Sequence, residues 1–147
     1  MANRNDAILE ARKWLHTPFK HQAFVRGAGC DCIGLIKGVG MALELVDYDP
    51  KSATARKFNN YSMMPNPRIM RQALATWLVQ IPVQEATLAD IYYMTWGREP
   101  QHVALITDRG IIHSYSRAGE VVEHGLDDTW RNRIVSAYRY PVFVGSE

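Results

Sequence analysis

Along the first half of the chain, apolar residues recur at helical spacing. Ala7, Ile8, Ala11, Trp14 and Leu15 share one face, which predicts a helix over 7–15. Pro18 ends or bends that helix, because proline has no N–H to give to the preceding turn. Residues 19–30 are polar, contain Gly27 and Gly29, and read as a loop. Ile33, Leu35, Ile36, Val39, Leu43 and Val46 repeat the helical spacing over 32–46. Residues 47–66, with Pro50, Asn59-Asn60 and Pro65, read as irregular. Ile69, Met70, Ala73, Leu74, Trp77 and Leu78 then predict a helix over 68–79.

After Pro82 the period shortens. Five runs read as strands: Ile91–Thr95, His102–Thr107, Ile111–Ser116, Val121–His124 and Val135–Tyr140. Turn residues separate them, namely Gly97 with Pro100, Asp108 with Gly110, and Ala118 with Gly119. Residues 127–132 read as a short helical turn. A helical first half and a stranded second half imply an α+β domain, with helices packed on one side of an antiparallel sheet.

The 147 residues suit a single domain, 1–147. A chain of this length buries roughly 68–70% of its unfolded surface, enough for a core without covalent staples. Apolar residues make up 47% and charged residues 22%, the balance of an ordinary globular protein. A net charge of +2 with no basic cluster argues against a nucleic-acid partner. No apolar run reaches the roughly 20 residues of a membrane span, so no membrane insertion is expected. The start, Met1-Ala2-Asn3-Arg4-Asn5-Asp6, lacks the apolar core of a secretory signal, and synthesis in the cytoplasm is expected. Cys30 and Cys32 are too close in sequence for an unstrained disulfide, so none is expected.

The segment Gly27-Ala28-Gly29-Cys30-Asp31-Cys32-Ile33-Gly34-Leu35 carries the most chemistry. Asp31 is a good helix cap, and it places Cys32 in the first helical turn. The unpaired N–H groups and dipole of a helix start favour a thiolate and can hold an oxyanion. Gly34 would leave that helix start bare enough for a substrate backbone to approach. Taken alone, a cysteine in an apolar helix is more often a buried packing residue. The loop, the cap and the glycine tilt Cys32 toward a nucleophile, while Cys30 reads as packing. A zinc site is ranked lower, since C-x-C is tighter than the usual C-x₂₋₄-C, and no metal or other cofactor is expected.

A cysteine nucleophile needs a base, and the base needs an orienting group. A tight turn at Asp108-Arg109 pairs Thr107 with Gly110 and sets His113 opposite Ala104. His102 and His113 then lie diagonally on one face, roughly 7–8 Å apart at the backbone. Val103, Leu105 and Ile112 take the other face. A slip of one residue would separate the histidines, so the pairing depends on the turn. His16 reads as a helix-end residue and His124 as a strand end near solvent, neither related to that pair. His21 and Gln22 sit in the loop before Cys32. A Gln22 amide there could donate to an oxyanion, although a plain loop role fits equally.

Asp31-Cys32-Ile33-Gly34-Leu35, then His102-Val103-Ala104-Leu105-Ile106 and Ile111-Ile112-His113, resembles the NlpC family of cell-wall endopeptidases. Leu88-Ala89-Asp90-Ile91-Tyr92 resembles the family's Gly-Asp-Leu strand. The resemblance runs from about Trp14 to Ser116 and implies a papain-like fold. It implies that Cys32 is the nucleophile, His102 the general base and His113 the orienting residue; His21, Gln22 and Asp31, from the segment leading into Cys32, are expected at the substrate. It implies as substrate an amide bond in a peptidoglycan stem peptide. His21-Gln22, Arg26-Gly27 and Cys30-Asp31-Cys32 look like the branch found in phage tails and gene transfer agents. That branch implies phage-like tail proteins as partners and packaging in a virion-like tail.

The sequence departs from the family at Phe19, which has no hydroxyl to place near the thiol. It departs again at Ile33, in place of a usual serine, and at Ala89, in place of a usual glycine. Two other readings therefore stand beside the peptidase: an inactive structural or plug subunit of a tail tip, and a papain-like acyltransferase or thioesterase.

Overall fold

The computed structural model describes residues 1–58, 67–95 and 102–145. The Gly97–Pro100 turn and the end of the irregular 47–66 stretch lie outside the described residues. Helix α1 spans Arg4–Arg12 and starts earlier than its apolar stripe. Asn3 caps it: the Asp6 N–H donates to Asn3 Oδ1 (2.8 Å) and the Asn3 N–H to Asp6 Oδ2 (2.9 Å), a reciprocal capping box. The helix ends at Lys13, well before Pro18, and His16 takes a left-handed φ of 71°. Residues 16–19 then run beside the strand Glu120–His124, with Val121 N–H donating to Thr17 O (3.0 Å) and Phe19 N–H to Gly119 O (2.8 Å). The open sheet edge is covered instead of extended into solvent.

The loop read over 19–30 contains a small ribbon, β1 (Phe24–Val25) and β2 (Gly29–Cys30), turned at Gly27 with φ 81°. Helix α2 follows at Cys32–Ala42. Its apolar period continues to Val46, but the helix does not. Glu44, at φ 55°, sits where Leu45 N–H donates to Gly40 O (2.8 Å) and Glu44 N–H to Met41 O (3.3 Å). This is a Schellman stop, with the fully buried Leu45 as the apolar residue just past it. A Cβ at Gly38 would lie 2.2 Å from the Trp14 ring, so glycine lets the segment after α1 pack directly on α2.

Within the stretch read as irregular, α3 forms at Ala53–Phe58, with the Ala55 N–H donating to Ser52 Oγ (3.0 Å). Helix α4, Pro67–Trp77, stops short of Val79, the last residue that periodicity assigns to the helix; Val79 instead opens a strand β3 (Val79–Ile81). The remaining strands are β4 (Ile91–Met94), β5 (His102–Thr107), β6 (Gly110–Tyr115), β7 (Glu120–His124) and β8 (Ile134–Arg139), with a four-residue helix α5 (Asp128–Arg131) before β8. They form one antiparallel sheet in the order β3-β8-β4-β5-β6-β7.

The sheet has two apolar faces. Ile91, Tyr93, Val103, Leu105, Ile112 and Val121 pack against the helical side with Ile8, Leu35 and Val39. Met94, Ala104 and Ile111 form a smaller cluster on the other side, covered by Leu126, Trp130 and Ile134. The α+β reading holds, with α5 shielding part of the second face. Two ionic clasps fix the layers, the first buried and the second partly exposed. Asp90, fully buried, accepts from Arg139 (3.0 and 2.9 Å) and from Arg4 (2.9 Å). Arg12 of α1 donates to both Glu123 oxygens (3.1 and 2.9 Å) and to Asp108 (2.5 Å) in the β5–β6 turn. Ala89 stands at φ 68°, a left-handed position, which is the physical reason a glycine suits that site. Among the described residues no helix is long and apolar enough to cross a membrane.

Candidate active site

Asp31 builds the start of α2. Its Oδ1 accepts the Gly34 N–H (2.7 Å) as an N-cap, and its Oδ2 accepts the Gln22 N–H (2.7 Å). One carboxylate thus ties the preceding loop to the helix. Both cysteines are free thiols, Cys30 buried and Cys32 partly exposed. The Cys30 carbonyl accepts the Ser114 hydroxyl (2.7 Å), which links this loop to β6. Gly34 differs from its expected use. A Cβ there would lie 2.0 Å from the Ala23 carbonyl oxygen, so the close approach serves the protein's own loop and not a substrate.

Backbone N–H groups of Val103, Ile33 and Cys32 itself lie near enough to the Cys32 thiol to lower its pKa. The Val103 contact is informative, because Val103 follows His102 at the start of β5. These donors favour a thiolate, as the helix start predicts, but they do not win. Burial, followed by the charge of Asp31, pushes the thiol up to about 12. The expectation of a ready-made thiolate is therefore corrected: at neutral pH the resting thiol is protonated. Burial likewise pushes Cys30 up to about 11, in keeping with a packing residue.

The histidines meet as the register requires. Thr107 pairs with Gly110 and Leu105 with Ile112, so His102 and His113 fall diagonally on one face. His102 Nε2 lies 2.5 Å from His113 Nδ1. Both rings are buried, His113 completely. Burial, with Arg133 and His124 adding like charge, lowers His102 to about 3, and burial with the other two histidines lowers His113 to about 2. Both are neutral imidazoles at neutral pH.

The sequence reading of His124 is overturned. Instead of standing apart near solvent, it is half-buried, and its Nε2 lies 2.9 Å from His113 Nε2. Its Nδ1 lies 2.9 Å from the Gly125 carbonyl oxygen. The β6–β7 register pairs His113 with Val122, which makes His124 a diagonal neighbour on the same face. The signal was present in the spacing: 102, 113 and 124 are each eleven apart, and two tight hairpins repeat one diagonal. Tyr115 stacks on His113 at 5.4 Å and Trp130 meets it edge-on at 5.0 Å, which accounts for the desolvation of the ring. Tyr93, also missed, lies within electrostatic range of Cys32; it pairs directly across β4–β5 with Val103.

The other residues read at the substrate occupy the loop before Cys32. Gln22 is exposed at φ 62° and His21 is half-buried, while Asp31 is almost wholly buried. His16 lies exposed beyond α1, 3.4 Å from Glu120. Among the described residues no group of three histidine, cysteine or acidic side chains is arranged to hold a metal ion.

Solved structures share this architecture. The NlpC/p60 domain of the peptidoglycan hydrolase SagA matches with a TM-score of 0.60 and 18% identity, over 93% of this chain and 98% of that one. An NlpC/P60 family protein from Bacillus cereus matches with a TM-score of 0.64 and 18% identity, over 95% of this chain and 40% of that one. This chain has the papain-like NlpC/P60 fold. The P60 domain of an antigen from M. avium subspecies paratuberculosis gives a TM-score of 0.55 at 15% identity, over 93% of each chain. No family model matches the sequence, and no curated protein matches it.

Proposed function

We propose that this protein is a cysteine endopeptidase of the NlpC family that hydrolyses amide bonds in peptidoglycan stem peptides. The observation that carries the reading is the Cys32 thiol at the Asp31-capped start of α2, beside a sheet face on which His102 and His113 meet. The likeness to the NlpC/p60 domain of a peptidoglycan hydrolase supports the substrate class.

In this reading the resting pair is neutral on both sides. His102 takes the thiol proton as Cys32 attacks the amide carbonyl, and it returns the proton to the leaving amine. Water then hydrolyses the thioester with His102 as base. His113 orients the His102 ring. Backbone N–H groups at the start of α2 hold the oxyanion, and an exposed Gln22 amide adds a donor from the loop. His21 lines the same loop. Asp31 acts through the backbone, since its oxygens hold Gln22 and Gly34 in place.

The motif residues His21-Gln22, Arg26-Gly27 and Cys30-Asp31-Cys32 support a tail-associated role in wall penetration, with phage-like tail proteins as partners. The deciding experiment is digestion of purified cell wall with mass analysis of the released fragments, run beside a folded Cys32→Ala variant. Peptide release by the wild type alone is the expected result. Equal release by the variant, or none by the wild type, overturns the reading.

A further inference from the structure

His102, His113 and His124 form a chain that ends on a backbone carbonyl, and a carbonyl can only accept. Gly125 O therefore takes its hydrogen from His124 Nδ1, at 2.9 Å. An uncharged imidazole that donates from Nδ1 has a bare Nε2, so His113 Nε2, 2.9 Å from His124 Nε2, is then the donor. That leaves His113 Nδ1 bare, and His102 Nε2, 2.5 Å away, must donate to it. His102 is left with its lone pair on Nδ1. Each neutral imidazole has one donor and one acceptor, so fixing one end fixes all three rings.

We infer that His124 is a positioning residue: anchored on the Gly125 carbonyl, it sets through His113 the tautomer in which His102 presents Nδ1 as a base. The register supports this use. Both hairpins set their histidines on the same diagonal. Trp130 meets both His113 and His124 at 5.0 Å, which holds the two rings in place. Without the anchor, His113 would keep no preference for which nitrogen carries its proton, and the fraction of His102 in the basic Nδ1 form would fall. The consequence for turnover rests on the hydrolase reading; the tautomers do not.

The test is ¹⁵N NMR of the imidazoles, with Cys32 alkylation as a second readout. In the wild type, His102 and His113 should carry hydrogen on Nε2 and His124 on Nδ1. His124→Leu should give mixed tautomers at His102 and slow alkylation of Cys32 by about tenfold, the lower end of what removing an orienting partner costs. His124→Gln, whose amide oxygen can accept from His113 Nε2, should restore both to near the wild-type pattern. Hydrogen on Nδ1 of His102 in the wild type, or an unchanged pattern in His124→Leu, overturns the inference. If the wild type shows the tautomer order but digests no wall, the hydrolase reading fails and the relay stands.

Discussion

His113 Nδ1 lies 2.5 Å from His102 Nε2 and His113 Nε2 lies 2.9 Å from His124 Nε2, inside a layer that excludes water. The pair is thus held neutral by desolvation.

Stability should fall as pH drops below the ordinary histidine range. The unfolded chain protonates its histidines near 6.5, whereas folded His102 and His113 stay neutral down to about 3 and about 2. Between those limits the unfolded state binds more protons, so stability is present above 6.5 and is lost progressively toward 3. Each histidine should cost about 1.4 kcal/mol per pH unit once unfolded-state uptake is complete. The melting temperature measured from pH 7 to pH 4.5 should drop steadily, and His113→Phe should flatten the slope. A constant melting temperature down to pH 5 would contradict this.

The thiol should behave as a protonated group in the absence of substrate. With Cys32 pushed up to about 12, its alkylation by iodoacetamide should be slower at pH 6 than that of a free cysteine and should still be rising at pH 9. Peptide mapping assigns the label, since Cys30 is fully buried. A plateau in rate at mildly acidic pH would instead reveal a thiolate–imidazolium pair.

Asp31→Ala should destabilise the protein by about 1–3 kcal/mol, because it strips the cap from Gly34 and the loop clasp from Gln22 together. Asp31→Asn should recover part of that loss, because its single carbonyl oxygen can still accept one of the two N–H groups. Urea unfolding of the three proteins measures both steps. Equal stability of Asp31→Ala and wild type would show that the loop is held by other means.

Asp90→Asn should be the costlier change. It removes the negative charge that faces Arg139, itself nearly buried, and leaves one neutral carbonyl oxygen where two carboxylate oxygens accepted; breaking one side of a buried pair costs about 3–5 kcal/mol. Denaturant unfolding reads it directly. A loss under 1 kcal/mol would mean that water replaces the carboxylate.

The elements that the sequence revealed are those whose signal is local. The α2 start was legible because Asp31 is a cap and the apolar period begins beside it. The β5–β6 register was legible because a two-residue turn leaves few alternatives, so the meeting of His102 and His113 followed from counting. Elements set by distant partners were not legible. Strand β3 exists because Val79–Ile81 pairs with β8, about sixty residues later. Helix α2 stops at Ala42 through backbone bonds at Glu44 and Leu45, although its apolar period runs on to Val46.

The site divides the same way. Sequence by itself determined which residues could do chemistry, and through cap and turn it set Cys32 at a helix start and His102 beside His113. Only the tertiary structure decided their protonation and their company. Burial cannot be read from a motif, and it outweighs the helix-start N–H groups at Cys32. The role of His124 depends on a second hairpin register and on the packing of Trp130, and both exist only once the sheet is assembled.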